Sequence, residues 1–345
     1  MEANPEDAMA RYYLGNLLFE MQPERAMALW EKAAGLEQDF PTLCRNLGWA
    51  CYKIRQDIPG AIRYYEKAVA LDPDDQRLLY ELDLVYADGR VAPEKRLKIL
   101  QDHHQAIADN DVADALAREV MLLVQLGRYD EALEAANDYY FRQWEGVSKA
   151  YASYVDAHLL RGCEYTREGN TEAALEDYLA ALEYPENMMV AEPYRGGRSA
   201  QVDYFIGTAY EKMGDLDKAK DHYLKSSTKR QQQDLSDIHF YKALALKKLN
   251  NTEEAGEIFE GLILLGRNSL ENPEEDFFAK FGERQTADDK KADAHYLMGL
   301  GYLGQGDRIS AENEFAEALR LNLNHIWAAA LLSQIKDGTI VTLTE

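Results

Sequence analysis

One pattern of small and large residues recurs along this chain and restricts what it can fold into. A glycine or alanine lies in one helical stretch, a glycine or asparagine follows where that stretch ends, and an alanine and a large apolar residue lie in the next stretch. The copies are Met298, Gly299, Tyr302, Gly306, Ala311, Phe315 and Ala318; Ile206, Gly207, Tyr210, Gly214, Ala219, Tyr223 and Ser226; Gly162, Tyr165, Gly169, Ala174, Tyr178 and Ala181; and, more loosely, Ala243, Leu246, Asn250, Ala255, Phe259 and Leu262. A period of roughly 34 residues is typical of paired helices that stack. The pattern predicts an all-α fold, a right-handed superhelical solenoid of antiparallel helix hairpins.

The spacing has a physical reason. Gly207 and Gly299 would let the second helix approach the first closely, and Gly214 and Gly306 fall just past the end of the first helix, where a left-handed cap favours glycine. The following alanine and aromatic residue supply a small and a large side chain at helical spacing. Such a hairpin leaves one apolar face uncovered, and the next hairpin covers it.

The same markers divide the chain into segments. Looser copies around Gly15 and Gly48 open it. We expect two degenerate repeats in 1–75, irregular helical pairs ending in Trp-Glu-Gly in 76–150, three repeats in 151–266 with a loop insert at 183–198, an acidic aromatic insert at 267–289, and a last repeat with a capping helix in 290–345.

The charge of the chain bears on its partners. It has 38 basic and 61 acidic residues, a net charge of −23. Such a surface repels phosphate backbones, and no basic stripe of useful length interrupts the sequence, so nucleic acid is not an expected partner. The charge is consistent with solubility, and an acidic groove for basic partners is the alternative.

The cysteines and the apolar runs bear on location. Cys44, Cys51 and Cys163 are odd in number and widely spaced, which fits a reducing compartment. The first residues carry Glu2, Glu6 and Asp7, which do not fit a leader. No apolar run reaches the roughly 18 residues of a membrane span. We therefore expect a cytoplasmic protein that does not contact a membrane.

The sequence lacks the usual motifs of catalytic, nucleotide-binding and metal sites. It has no glycine-rich phosphate loop, no His-Glu-x-x-His and no Cys-x-x-Cys. His103 and His104 are adjacent, so on a helix they point about 100° apart, which is poor geometry for one metal ion. No acid–base pair is set by spacing. We expect no catalytic residue, no metal, no cofactor and no enzyme activity.

The repeat markers resemble those of the tetratricopeptide repeat family. The resemblance is carried by the copies given above. It implies that the first helices of the hairpins line a concave face. It also implies a protein that binds other proteins or peptides.

A closer resemblance lies partly between the repeats. The stretches 45–47, 80–83, 139–146, 184–187 and 295–302 are similar to the tetratricopeptide-rich C-terminal region of large bacterial proteins that carry an N-terminal β-rich domain of unknown function. This resemblance runs across nearly the whole chain. The chain departs from that group at 147–150, where the group tends to have Gly-Glu-Gly-Lys, and near Glu192, where a Gly-Lys pair is absent. The resemblance implies at most a carbohydrate connection through a β-rich partner and assigns no catalytic residue.

The family register also selects candidate binding residues. On the concave face we expect Leu159, Tyr204, Thr208, Glu211, Phe240, Leu244, Lys247, Tyr296 and Leu300, together with Cys163 and Leu303. Tyr204, Phe240 and Tyr296 would form an aromatic row with one member in each repeat. Exposed aromatic side chains in a groove can anchor a bound peptide. The alternative is that the row packs between neighbouring repeats.

Two loop elements form a second candidate site. It consists of Trp144, Glu145, Tyr184, Glu186 and Asn187. A carboxylate beside an aromatic ring is consistent with a sugar site or a partner site. The alternative is that Trp144 covers the core at a helix end and that 184–187 is a connecting loop.

Two functions follow from these observations. The first is a non-catalytic scaffold that binds a partner peptide or domain through the concave face. The second is a docking part of a carbohydrate-active system that packs on a β-rich sugar-handling domain. Self-association through the solenoid ends is also possible, because end repeats expose apolar faces.

Overall fold

The computed structural model describes residues 7–36, 40–108, 113–142, 149–191, 197–228, 235–271 and 286–339. Within these ranges the chain forms α-helices and no strand. The helices are Ala8–Leu18 (α1), Pro23–Leu36 (α2), Pro41–Ala50 (α3), Ile58–Leu71 (α4), Gln76–Asp88 (α5), Pro93–Asp102 (α6), His104–Ala108 (α7), Asp114–Gln125 (α8), Tyr129–Asp138 (α9), Lys149–Glu168 (α10), Thr171–Ala180 (α11), Ser199–Lys212 (α12), Leu216–Thr228 (α13), Ile238–Lys248 (α14), Thr252–Glu271 (α15), Ala287–Gln305 (α16), Arg308–Leu321 (α17) and Ile326–Lys336 (α18). A π-helical turn, Cys51–Arg55, continues α3, and a 3-10 turn spans Glu186–Met188.

The chain divides into two compact units. Unit 1 consists of residues 1–128, 134–150 and 187–189, and unit 2 of residues 129–133, 151–186 and 190–345. Unit 2 contains four helix hairpins, α10–α11, α12–α13, α14–α15 and α16–α17, and then α18. The predicted all-α architecture of antiparallel hairpins is confirmed. Most of the predicted insert at 267–289 lies outside the described residues.

Close approach within the hairpins depends on the marker glycines. A Cβ atom built on Gly299 would lie 2.5 Å from Cε1 of Phe315, and one on Gly207 would lie 2.6 Å from Cε1 of Tyr223. The looser copies behave alike: Gly15 faces Trp30 at 2.3 Å. The ring of the second helix therefore rests on the backbone of the first, as the spacing predicts.

The sequence also predicts the turn that joins the two helices of a hairpin. Gly306 has φ +85° and ends α16, and the side chain of Asp307 then accepts a hydrogen bond from Ser310 N at 3.1 Å and caps α17. Gly214 and Asp215 repeat this arrangement before α13, with φ +81° at the glycine. A left-handed residue followed by an N-cap aspartate stops one helix and starts the next in the fewest residues.

The close approach gives a stability test. We expect Gly299→Ala to lower the free energy of unfolding by about 1–3 kcal/mol, because the new methyl group overlaps the packed ring of Phe315. Gly256 is the matched control, since it lies on an exposed face of α15 with no atom within 4 Å of a built Cβ. Gly256→Ala should raise stability by about 0.5–1 kcal/mol, because alanine is the better helix former. Urea unfolding followed by circular dichroism measures both, and equal effects would contradict the packing explanation.

Candidate functional site

First helices of neighbouring hairpins in unit 2 pack side by side, α12 on α14 and α14 on α16. We call the side made by α10, α12, α14 and α16 the first-helix face. Neighbouring helices meet through aromatic rings: the centroids of Tyr204 and Tyr241 are 6.1 Å apart, and those of Phe205 and Tyr241 are 5.6 Å apart. All three rings are buried, so they set the distance between α12 and α14 from within the core.

Helix α18 lies on the first-helix face and is held there by Trp327. The indole Nε1 donates a hydrogen bond to Oδ1 of Asp156 on α10 at 2.6 Å. The ring centroid lies 6.2 Å from both Phe205 on α12 and Tyr241 on α14. A buried indole with a satisfied N–H and aromatic neighbours is a strong anchor. One side chain of α18 thus contacts three first helices.

A buried charge network supports this anchor. Nη2 of Arg198 lies 2.6 Å from Oδ1 of Asp156, and the guanidinium lies 5.8 Å from the centroid of the Trp327 ring. Burial raises the pKa of the nearby Asp237 carboxyl, while the charge of Arg198 opposes that rise. The cation therefore compensates carboxylates that would otherwise be costly to bury under α18.

The start of α18 depends on a neutral histidine. Nδ1 of His325 accepts a hydrogen bond from Ala328 N at 3.2 Å, so the side chain acts as the N-cap. The ring lies 4.2 Å from that of Tyr296 on α16. Burial lowers the pKa of His325 to about 4, although a backbone hydrogen bond and the charge of Asp156 favour the charged form. At neutral pH the ring can therefore accept the capping hydrogen bond.

Beside α18 the first-helix face keeps an open pocket of about 420 Å³. It lies between α10, α12 and α18. Its apolar wall includes Leu160, Phe205 and Ala330, and Arg167 and Lys212 also line it. The remaining lining side chains are Tyr129, Cys163, Glu164, Thr166, Tyr178, Thr208, Ser333, Gln334 and Thr339. A concave site of this size with an apolar wall and a few polar groups is typical of ligand pockets.

The titratable groups of the pocket are shifted by their surroundings. Burial, together with the nearby charge of Lys248, lowers the pKa of Lys212. Burial raises the pKa of the Cys163 thiol to about 12, so the thiol is protonated and unreactive at neutral pH. The pocket therefore offers cations and an apolar wall and no nucleophile from this cysteine.

Most residues predicted on the concave face are core residues. Neighbouring helices cover these side chains, so packing accounts for them without a direct contact with a partner. The buried members are Leu159, Tyr204, Phe240, Leu244, Tyr296, Leu300 and Leu303. The row of Tyr204, Phe240 and Tyr296 therefore follows the packing alternative.

The other predicted residues have separate positions. Thr208 and Cys163 line the pocket. Glu211 is half-buried, pairs with Lys248 at 2.9 Å and accepts a hydrogen bond from the Tyr223 hydroxyl at 2.7 Å. Lys247 is partly exposed at the end of α14.

The loop site is not assembled in the described part of the chain. Trp144 and Glu145 lie outside the described residues. Tyr184 stacks on Tyr151 with ring centroids 5.3 Å apart, and Glu186 is exposed. Asn187 donates hydrogen bonds to the carbonyl oxygens of Ala136 and Tyr139 at 2.8 and 2.7 Å. Asn187 therefore serves the end of α9, which favours the loop alternative for this element.

Sequence reasoning missed a recurring polar pair inside the unit 2 hairpins. In three hairpins a histidine and a carboxylate join the first helix to the second at the same register positions, which the repeat alignment could have found. The pairs are His158–Asp177 at 2.8 Å, Asp203–His222 at 2.9 Å and His295–Glu314 at 2.6 Å. The anchoring of α18 and the residues Leu160, Phe205, Arg167 and Lys212 of the pocket were also missed.

Two further properties concern only the described ranges. No group of three or more histidine, cysteine, aspartate or glutamate side chains there could hold a metal ion. No helix there is long and apolar enough to cross a membrane.

Comparison with known proteins identifies the repeats. Residues 155–188 and 201–228 match the family model of the tetratricopeptide repeat. YrrB, a tetratricopeptide repeat protein with an unusual peptide-binding site, is 26% identical over 52% of this chain and 88% of its own, with a TM-score of 0.39. A tetratricopeptide repeat protein from Parabacteroides merdae is 15% identical over 87% of this chain and 100% of its own, with a TM-score of 0.45. The human IFIT1 dimer with PPP-AAAA is 16% identical over 93% of this chain and 75% of its own, with a TM-score of 0.32.

Two stretches of the chain thus match the tetratricopeptide repeat, as their markers predict. The two matched stretches contain α11, α13 and most of α10 and α12, which supply much of the pocket. The closer resemblance to large bacterial proteins with a β-rich N-terminal domain stays a prediction.

Proposed function

We propose that this chain is a non-catalytic scaffold that binds a linear segment of a partner protein in the pocket between α10, α12 and α18. The observation that carries the proposal is the pocket itself, which is open, partly apolar and lined by polar side chains. Peptide segments bind in such grooves by placing an apolar side chain on the wall and polar atoms at the rim.

The adjacent helix supports this proposal. The first-helix face already holds α18 through an anchoring indole, a hydrogen bond and ring contacts. These are the kinds of contact that dominate protein–peptide interfaces. The same face therefore has the chemistry to recognise a segment of another protein.

A substitution that fills the pocket tests the proposal. Ser333 is exposed on α18 and lines the pocket, so Ser333→Trp should place an indole in the space that a partner needs. We expect the partner proteins captured from a cell lysate by the full-length chain to fall by about tenfold or more. Capture is quantified by mass spectrometry.

The matched control is Lys336→Trp, which puts the same side chain on an exposed part of α18 that does not line the pocket. It should leave capture unchanged, and both variants should keep the unfolding midpoint of the wild type. A partner that binds wild type and Ser333→Trp equally would place the binding surface elsewhere and contradict the proposal.

The alternative function rests on the resemblance alone. In it the repeats dock on a β-rich sugar-handling domain. The identity of the captured proteins tests this, because a partner without such a domain would leave only the general scaffold. We also propose that the protein is cytoplasmic and that the purified complex contains no nucleic acid. Association of two copies through their end repeats is part of the same proposal.

A further inference from the structure

The cations at the pocket indicate what kind of segment binds there. Arg167, Lys212 and Lys248 occupy the same register position on α10, α12 and α14, in the last turn of each helix, and Lys247 precedes Lys248. We call these four residues the basic strip. It crosses three successive repeats of a chain whose net charge is −23. On α16 the equivalent position is Gly304, so the strip ends with the third repeat.

The basic strip is only partly neutralised by its own surroundings. Nη2 of Arg167 is 3.9 Å from Oε1 of Glu164, and Nζ of Lys248 is 2.9 Å from Oε2 of Glu211. No carboxylate of the described residues forms an ion pair with Lys212 or Lys247. Two of the four cations in the basic strip are therefore not paired with a carboxylate of the described residues.

Helix geometry alone explains only part of this pattern. Cations in the last turn of a helix are stabilised by its dipole, which accounts for their positions along α10, α12 and α14. The dipole does not account for a cation placed in a pocket. Arg167 and Lys212 both line the pocket, and the apolar wall of Leu160 and Phe205 lies beside them. An anionic group bound there could form charge-assisted hydrogen bonds with both cations, and an adjacent apolar group could pack on the wall.

From this arrangement we infer that the occupant of the pocket is an acidic linear segment of a partner protein. Its carboxylates contact Lys212 and Arg167, and an adjacent apolar side chain packs on Leu160 and Phe205. This inference rests on the proposed function and adds the chemical class of the partner to it.

A short acidic segment suits this surface better than a long polyanion. At physiological salt, charges separated by more than about 8 Å are largely screened, so a short segment responds to the basic strip and little to the acidic remainder of the chain. A nucleic acid extends well beyond the strip and meets the acidic surface, which opposes binding. Nucleic acid is therefore an outcome that the test must exclude.

The experiment starts from an unbiased probe. A displayed library of random twelve-residue peptides is selected on the full-length wild-type chain, and the same selection is run on Lys212→Glu. We expect the wild type to enrich peptides rich in Asp and Glu with an apolar neighbour, and Lys212→Glu to lose this enrichment. The affinity of the most enriched peptide is then measured by fluorescence polarisation.

Matched variants give the size of the effect. Lys212→Glu and Arg167→Glu should each weaken binding by about tenfold or more, because each replaces an attraction with a repulsion. Lys225→Glu is the control, because Lys225 is exposed in the last turn of α13 and does not line the pocket. This variant also loses a cation that favours the helix dipole, but it leaves the site unchanged. We expect less than about a twofold change for it. Raising KCl from about 50 to about 300 mM should lower the wild-type affinity severalfold.

The possible failures are distinguishable. Enrichment of neutral or basic peptides whose binding Ser333→Trp abolishes would overturn the acidic class and leave the proposed function standing. Enrichment of acidic peptides that bind Lys212→Glu as well as wild type would overturn the basic strip as the site. No enrichment at all, or competition by a single-stranded oligonucleotide at equal affinity, would overturn both proposals.

Discussion

Replacing Asp83 with asparagine is expected to destabilise unit 1 by about 3–5 kcal/mol, because the change removes the negative charge that neutralises two arginines in a buried cluster. Asp83 on α5 receives hydrogen bonds from Nε of Arg96 on α6 at 2.8 Å and from Nε of Arg118 on α8 at 2.5 Å. The side chains of Asp83 and Arg96 are only 2% and 1% exposed. Burial alone would raise the pKa of Asp83, but the two arginines outweigh it and hold the pKa below its ordinary value.

The control for this prediction makes the same chemical change at an exposed ion pair. Asp102 pairs with Lys98 at 2.7 Å on the surface of α6, and Asp102→Asn should change the free energy of unfolding by less than about 0.5 kcal/mol. Both variants are measured by urea unfolding, followed by far-ultraviolet circular dichroism. If Asp83→Asn cost no more than Asp102→Asn, the cluster would not be a structural element of unit 1.

The sequence was most informative where the backbone geometry at a position admits only one type of residue. The backbone at position 299 lies so close to the ring of Phe315 that only glycine fits there. Position 306 has a positive φ, which favours glycine. Such constraints act within one hairpin, so they can be predicted from local spacing. The fold class and the hairpins followed from them.

The sequence was least informative where distant residues meet. Asp83 and Arg96 look like ordinary surface charges on amphipathic helices, and nothing in their spacing indicates burial. Asp156 and Trp327 are 171 positions apart, so the docking of α18 cannot follow from any repeat register. The register did place Tyr204 on a first helix, but it could not show that neighbouring helices cover it.

For the candidate site the result is mixed for the same reason. Thr208 and Cys163 were predicted on the binding face and do line the pocket. Lys212 was overlooked, because a cation at a helix end is usually read as a solvated charge. Its position matters only together with Arg167 and with α18, and this combination is a property of the packed unit.

Helix α18 raises a question about the site that one substitution can answer. Removal of its anchor, Trp327→Ala, should cost about 3–5 kcal/mol of the free energy that holds α18 in place, from lost ring burial and from loss of the hydrogen bond to Asp156. Amide hydrogen exchange in 326–336 should then accelerate by about two or more orders of magnitude. Trp327→Phe, which keeps an aromatic ring but loses the N–H and part of the indole volume, should accelerate it less than Trp327→Ala.

Acidification should loosen the same helix. The pKa of His325 is about 4 in the folded chain and ordinarily 6.5, so the ring takes up its proton more readily when α18 is released. The stabilisation of α18 by neutral His325 is therefore fully present above pH 6.5 and is lost as the pH falls from 6.5 to 4. From pH 7 to pH 5 the loss is about 2 kcal/mol. His325→Asn keeps a capping oxygen but cannot titrate, so wild type and variant should differ in exchange at pH 5 far more than at pH 7. An equal response of both chains would remove His325 from the explanation.

The effect of Trp327→Ala on peptide binding separates two roles of α18. If α18 only blocked the first-helix face, its release would strengthen the binding of a peptide there. However, Ala330, Ser333 and Gln334 of α18 form one side of the pocket. We therefore expect Trp327→Ala to weaken the peptide selected on the wild type by about tenfold or more, in parallel with the faster exchange. Tighter binding by Trp327→Ala would instead mean that α18 competes with the partner, and that the pocket seen beside it is only the edge of a larger groove.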